Sequence, residues 1–241
     1  MSSTSILITC IIGLIMAVMH IRHRQKVKAR RAGMFAECQS LLSDVNITQD
    51  NVNFPVLTGN YQGFSVKLEP IADHVGYRKL PSLWLLMTVK ADIPYQGIFD
   101  FLVRPQNIEF FSPNEHLEYQ LKPPEHWPQY ASLKTDNIEE MPPIELVDKH
   151  IALFEDDKTK ELLITKKGVR IVYQANQANQ NTYRTLRSLA FDDLSLSPER
   201  ISHLLNTAIA IHQDLTDTKS PNHESNEHHY EHFTELKAAC Q

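Results

Sequence analysis

The residues best suited to chemistry sit near the end of the chain, where His228, His229, Tyr230, Glu231 and His232 spell H-x-x-E-H. On a helix, His228 and His232 share a face and can hold zinc, while Glu231 can activate the metal-bound water, as in inverted zinc peptidases. That chemistry also needs a third protein ligand well downstream and a folded scaffold. Nine residues follow His232, in a charged and polar tract. The expectation is a solvated tail with no metal and no cofactor; adventitious metal binding is the lesser alternative.

The other candidates are weaker. Asp156-Asp157 and Asp192-Asp193 resemble carboxylate pairs, but neighbouring side chains on a loop point apart. Asp73-His74 beside Arg78 and Lys79 could be an active loop, although hairpin loops are ordinarily polar. The seven glycines are too dispersed to cradle phosphate, and G-x-x-x-x-G-K-[ST], G-x-G-x-x-G and G-x-S-x-G are all absent from the sequence. Cys10, Cys38 and Cys240 form no ligand or disulfide pattern and fit a reducing compartment. No catalytic residue is assigned.

The strongest organising signal lies at the other end. Ile6 to Ile21 is an apolar run with no charged residue except the titratable His20 near its end. With the neutral Ser3, Thr4 and Ser5 it reaches the minimum length for a membrane-spanning helix. Arg22, Arg24, Lys26, Lys28, Arg30 and Arg31 follow at once, with no acid before Glu37. Positive charge beside a span stays cytoplasmic, so the short N-terminus should face outward and the bulk of the chain inward. A cleaved signal peptide would carry its charge before the apolar run and a small-residue site after it. The same six cations attract anionic headgroups, each by about 1 kcal/mol near the surface.

Six of the 24 basic residues lie in this cluster, so the remaining 18 face all 29 acids, a net of −11. A soluble part this acidic argues against nucleic acid as a partner. It should also be repelled by an anionic bilayer and stand off on a tether.

Along that soluble part, Met34, Phe35, Cys38, Leu41, Leu42 and Val45 recur at helical spacing, predicting an amphipathic helix to about Ser43 that packs on its own domain. Residues 46–53 read as a polar linker, so that 32–53 joins the anchor (1–31) to a domain over 54–215. Alternation around Gly59-Asn60 predicts a hairpin, with Phe64, Val66 and Leu68 on its return strand. Leu83 to Val89, apolar at both parities, reads as a strand covered on both faces rather than a sheet edge open to strand addition by a partner. Ile98 to Val103 is a fourth strand. Seven prolines make 105–143 an irregular connection, packed through Phe110, Phe111, Trp127 and Tyr130. Ile144, Val147, Ile151 and Phe154 predict a three-turn helix. Residues 160–173 form a second hairpin turning at Lys167-Gly168, which 175–190 extends as strand. Ser197, Pro198 and Glu199 open the clearest helix, with Ile201, Leu204, Leu205, Ala208, Ile211 and Leu215 as its buried stripe. From 216 the composition is that of a disordered His- and acid-rich tail.

The predicted class is α+β: one N-terminal transmembrane helix, then a mixed domain of antiparallel β-meanders with two or three packed helices. The outward tip, single span, basic junction and cytoplasmic terminal domain resemble in layout the bitopic bacterial cell-division anchors of the ZipA type, without their Pro/Gln-rich spacer. That resemblance implies an inner-membrane protein whose cytoplasmic domain makes protein–protein contacts in division or envelope assembly. A membrane-tethered hydrolase would instead show a concave polar pocket with perturbed titratable groups, and a lipid or small-ligand carrier a deep apolar cavity under the sheets.

Overall fold

The computed structural model describes residues 3–73, 80–105, 109–180, 183, 191 and 194–218. Helix α1 spans Ser3–Ala32 without a break. Its side chains over the apolar run are exposed, as on a helix with no protein around it.

Behind it stands one nine-stranded sheet in which every pairing is antiparallel. The strands are β1 (Ser43–Thr48), β2 (Val56–Tyr61), β3 (Phe64–Asp73), β4 (Ser82–Lys90), β5 (Phe99–Val103), β6 (Tyr119–Leu121), β7 (Ala131–Thr135), β8 (Thr159–Thr165) and β9 (Gly168–Gln177). Their spatial order is β1-β2-β3-β4-β9-β8-β5-β7-β6. The chain therefore leaves the sheet after β4, builds β5 to β7 at a distance, and returns to insert the β8–β9 hairpin into the gap. The two meanders of the sequence become one sheet. Leu83 to Val89 lies at its middle, paired on both sides, so the reading of this stretch as core holds.

One face of the sheet carries the main core. Leu57, Leu68, Leu85, Met87, Phe99 and Phe101 meet Leu204, Leu205 and Ala208 of the helix Pro198–Asp217. This helix, α3, opens as its sequence dictates. Ser197 is extended, its hydroxyl accepts from the Arg200 amide at 3.3 Å, and Pro198 fills the first turn. Phe101 has Trp127 and Phe154 ring centroids at 4.8 and 4.9 Å, both edge-on.

Several expectations need correction. The first hairpin turns at Gln62-Gly63, where φ is 50° and 86°, as a two-residue hairpin turn of this twist requires. Gly59-Asn60 instead lies within β2, because β1 crosses so closely that a Cβ on Gly59 would come 2.8 Å from the Ser43 carbonyl oxygen. The supposed linker 46–53 contributes to β1; its polar residues suit an exposed edge strand. Beyond Ala32 there are two 3-10 turns, Gly33–Phe35 and Gln39–Leu41, and no helix to Ser43. Met34, Phe35 and Cys38 are nonetheless buried in the core. The Pro-rich connection contains β6 and β7, and of the four aromatics expected to pack it Phe111 and Trp127 are buried while Phe110 and Tyr130 are exposed. The three-turn helix is split into α2 (Ile144–Asp148) and a 3-10 segment, Ile151–Glu155. Strand β9 ends at Gln177, and most of 181–190 lies outside the described residues.

Gly168 closes the inserted hairpin at φ 142°, with the site of a Cβ only 2.0 Å from the Val89 carbonyl oxygen of β4. Gly168→Ala is expected to cost more than about 2 kcal/mol through this clash and backbone strain. Urea unfolding of the purified full chain in detergent would read the loss; an unchanged midpoint would contradict it.

Candidate functional site

The site with the clearest relation to a membrane is the joint between α1 and the sheet. Arg24, Lys28 and Arg31 follow one another at i, i+4 and i+7, which places them on a single helix face. The loop between β1 and β2 runs along that face. Arg24 Nη2 donates to Asn51 Oδ1. Gln49 Nε2 donates to the Lys28 carbonyl at 3.2 Å and to the Asn53 carbonyl at 2.8 Å. Arg31 Nη1 donates to the Val52 carbonyl at 2.6 Å, and its guanidinium carbon lies 4.4 Å from the centre of the Phe54 ring. Asn51 takes φ 53°, a conformation that asparagine tolerates well. From a second side, Arg30 Nη2 donates to the Phe191 carbonyl at 2.6 Å, and Phe191 meets Phe54 edge-on at 6.1 Å.

Three of the six flank cations thus reach the domain through their side chains and a fourth, Lys28, through its backbone; Arg22 and Lys26 are exposed. The expected tether is absent from this joint. Each hydrogen bond here is worth only about 1 kcal/mol, yet four of them, from the β1–β2 loop and Phe191, hold two helical turns and so fix the angle of the helix to the sheet. We expect Gln49→Ala with Asn51→Ala to loosen that angle without unfolding the sheet. Spin labels at the exposed Lys26 and Lys90 should report one narrow distance distribution in the parent chain and a broadened one in the double variant.

Beside the joint lies a groove of about 670 Å³, with Arg31, Asp50, Phe54, Val56, Glu69 and Ile71 among its walls. Its apolar side comes from Phe54, Val56 and the end of β3. Glu69 is held by Lys67 at 2.6 Å.

A second polar constellation lies on the face of the sheet opposite the main core, and sequence reasoning missed it. Asp100 of β5 and Glu161 of β8 are both 0% exposed. Asp100 Oδ2 accepts from Ser112 Oγ and Asn114 Nδ2, each at 3.3 Å. Glu161 Oε2 lies 3.3 Å from Arg170 Nη2, which also donates to the Phe111 carbonyl at 3.0 Å. Thr159 pairs with Tyr173 and Glu161 with Val172, so Lys160 is the extra residue of a β-bulge. The bulge sends Lys160 to the same face, with Nζ 2.9 Å from Glu109 Oε1 and 5.8 Å from the centre of the Trp84 ring.

Burial drives the Asp100 carboxyl up to about 8, the nearby Glu161 adds to the rise, and Asn114, Ser112 and Arg170 oppose it. Burial likewise raises Glu161 against the pull of Arg170. Both carboxyls are displaced upward by burial, so a proton shared between Asp100 and Glu161 is expected near neutral pH. The segment 109–116 is bonded over both carboxyls through Glu109, Phe111, Ser112 and Asn114. The cluster therefore fastens that cover in register.

The sequence candidates are placed as follows. Asp156 accepts from Tyr173 at 3.3 Å and pairs with Arg200 at 2.9 Å, an anchoring role for the start of α3. Asp73 ends β3. His74 to Lys79, Asp192-Asp193 and the H-x-x-E-H tract lie outside the described residues. Among the described residues there is no cluster of three or more histidines, cysteines and carboxylates able to hold a metal ion.

No family model matches the chain, and no curated protein does. Among solved structures it is similar to the crystal structure of the mycobacterial trehalose monomycolate transport factor A, TtfA, at 11% identity and a TM-score of 0.38, over 80% of this chain and 96% of that one. At that level neither fold nor function transfers.

Proposed function

We propose that this is a single-pass inner-membrane protein with its first residues outside, its sheet domain in the cytoplasm, and a role in holding protein partners at the bilayer surface during division or envelope assembly. The observation that carries the reading is the clamped joint. The stretch beginning at Thr4 has a mean hydropathy of 2.3 over its most apolar window, none of it buried in the domain, and the same helix continues to the turns clasped by the β1–β2 loop. A partner bound to such a domain is held at a set height and angle, which an assembly platform needs. The displaced carboxyl pKa values occur under a sealed cover, not in an open cleft, which weighs against the hydrolase alternative. The exposed β1 edge is a ready surface for a partner strand.

Reporter fusions at the two ends test the topology: a fusion at Asp217 should be active only as a cytoplasmic reporter. Mature protein beginning beyond Ile21, or a periplasmic C-terminus, would overturn the reading. Affinity capture from membranes, run beside a chain lacking residues 1–31, tests the partner role. Deletion that leaves cell shape, septation and envelope integrity unchanged would count against division or envelope assembly.

A further inference from the structure

Resting on the membrane reading above, we propose that the groove at the foot of α1 binds the headgroup of a zwitterionic aminophospholipid. The groove carries one cation and one anion that its own walls leave unmatched. Arg31 uses Nη1 on the Val52 carbonyl and stacks on Phe54, so most of its five N–H donors remain for a ligand. The Asp50 carboxylate has no partner among the described residues; only its backbone carbonyl is engaged, by the Asn53 amide at 2.9 Å. Arg31 and Asp50 line the same groove yet do not form an ion pair. The third charge, Glu69, is already neutralised by Lys67.

A positive and a negative charge that line one groove without pairing complement a molecule with the opposite pair. A phosphate suits the planar fork of Arg31. A primary ammonium suits Asp50, because it can donate hydrogen bonds, which a quaternary ammonium cannot. Phe54, Val56 and Ile71 give the groove an apolar wall beside the two charges.

The position fits as well. Arg31 lies ten residues past Ile21, about 15 Å along the helix, and helical side chains lean back toward the N-terminus by a good part of a turn. The guanidinium then sits roughly 10 Å from the hydrocarbon boundary, next to a headgroup layer about 5–7 Å thick. The tip of the β1–β2 loop, at Asn51, touches Arg24 about two turns nearer still.

The test uses the full chain in detergent, titrated with short-chain dihexanoyl lipids bearing ethanolamine, choline or glycerol headgroups and followed by native mass spectrometry. The ethanolamine lipid should bind at least about fivefold tighter than either other lipid. Asp50→Asn should abolish that preference while leaving the unfolding midpoint unchanged, and Arg31→Gln should weaken all three. Equal binding of the three lipids, tighter binding of the anionic glycerol lipid, or a preference that survives Asp50→Asn would each overturn the proposal. Because no bilayer is needed, failure here is distinct from failure of the topology, which the reporter fusions decide.

Discussion

Arg170→Met should lower the stability of the full chain by about 3–5 kcal/mol, the cost of stripping one partner from a buried ionic cluster while its carboxyls stay behind. Arg170 is the only described cation within ion-pair distance of Glu161, and it also holds the cover through the Phe111 carbonyl. Methionine fills similar space, so the loss would be chiefly electrostatic. Urea denaturation in detergent should show the midpoint fall with an unchanged slope, and protease should cut first within 109–116. A loss under about 1 kcal/mol would mean that the cluster is open to water in solution.

The pH dependence of stability should run against the common expectation for acidic domains. Asp100 has an ordinary carboxyl value of 3.8 and a folded value of about 8. Between those limits the folded chain holds a proton that the unfolded chain has released. Its contribution is complete below about 4 and declines as pH rises, by up to about 1.4 kcal/mol per pH unit, until the folded carboxyl also ionises near 8. Glu161 is displaced in the same direction and adds to the decline. Asp100→Asn supplies a neutral group of the same shape without a proton. It should flatten the profile between pH 5 and about 8 and make the variant more stable than the parent above that range. Profiles of equal slope for the two chains would refute the shared proton.

How much of this was legible in the sequence depended on which forces act locally. The α3 cap and its stripe, the apolar leading helix and the central strand at Leu83–Val89 all follow from patterns within a dozen residues. The β6–β7 pair was hidden because prolines at its flanks read as breakers of the whole stretch, whereas they merely bound two short strands. The first turn was misplaced since Gly59 and Gly63 are both turn residues by composition; only the crossing of β1 over Gly59 distinguishes them. The flank cations carry a topology signal in the sequence, and nothing local reveals that a loop twenty residues later will clasp them. The buried cluster had left a trace: Asp100 in Phe99–Val103, and Lys160 and Glu161 in Thr159–Thr165, are charges inside otherwise apolar strands. A carboxylate seldom occupies such a place unless something is built around it.

The late insertion of β8–β9 also bears on biosynthesis. Until the ribosome has added the roughly ninety residues from β4 to the end of β9, at about 5–20 residues per second, the nascent sheet ends at β4 with its hydrogen-bonding edge bare. For some 5–20 s the growing polypeptide is a half-finished template, trailing behind its apolar leading helix. Translational pausing between codons 91 and 158 would lengthen that vulnerable interval, and chaperone engagement should peak there.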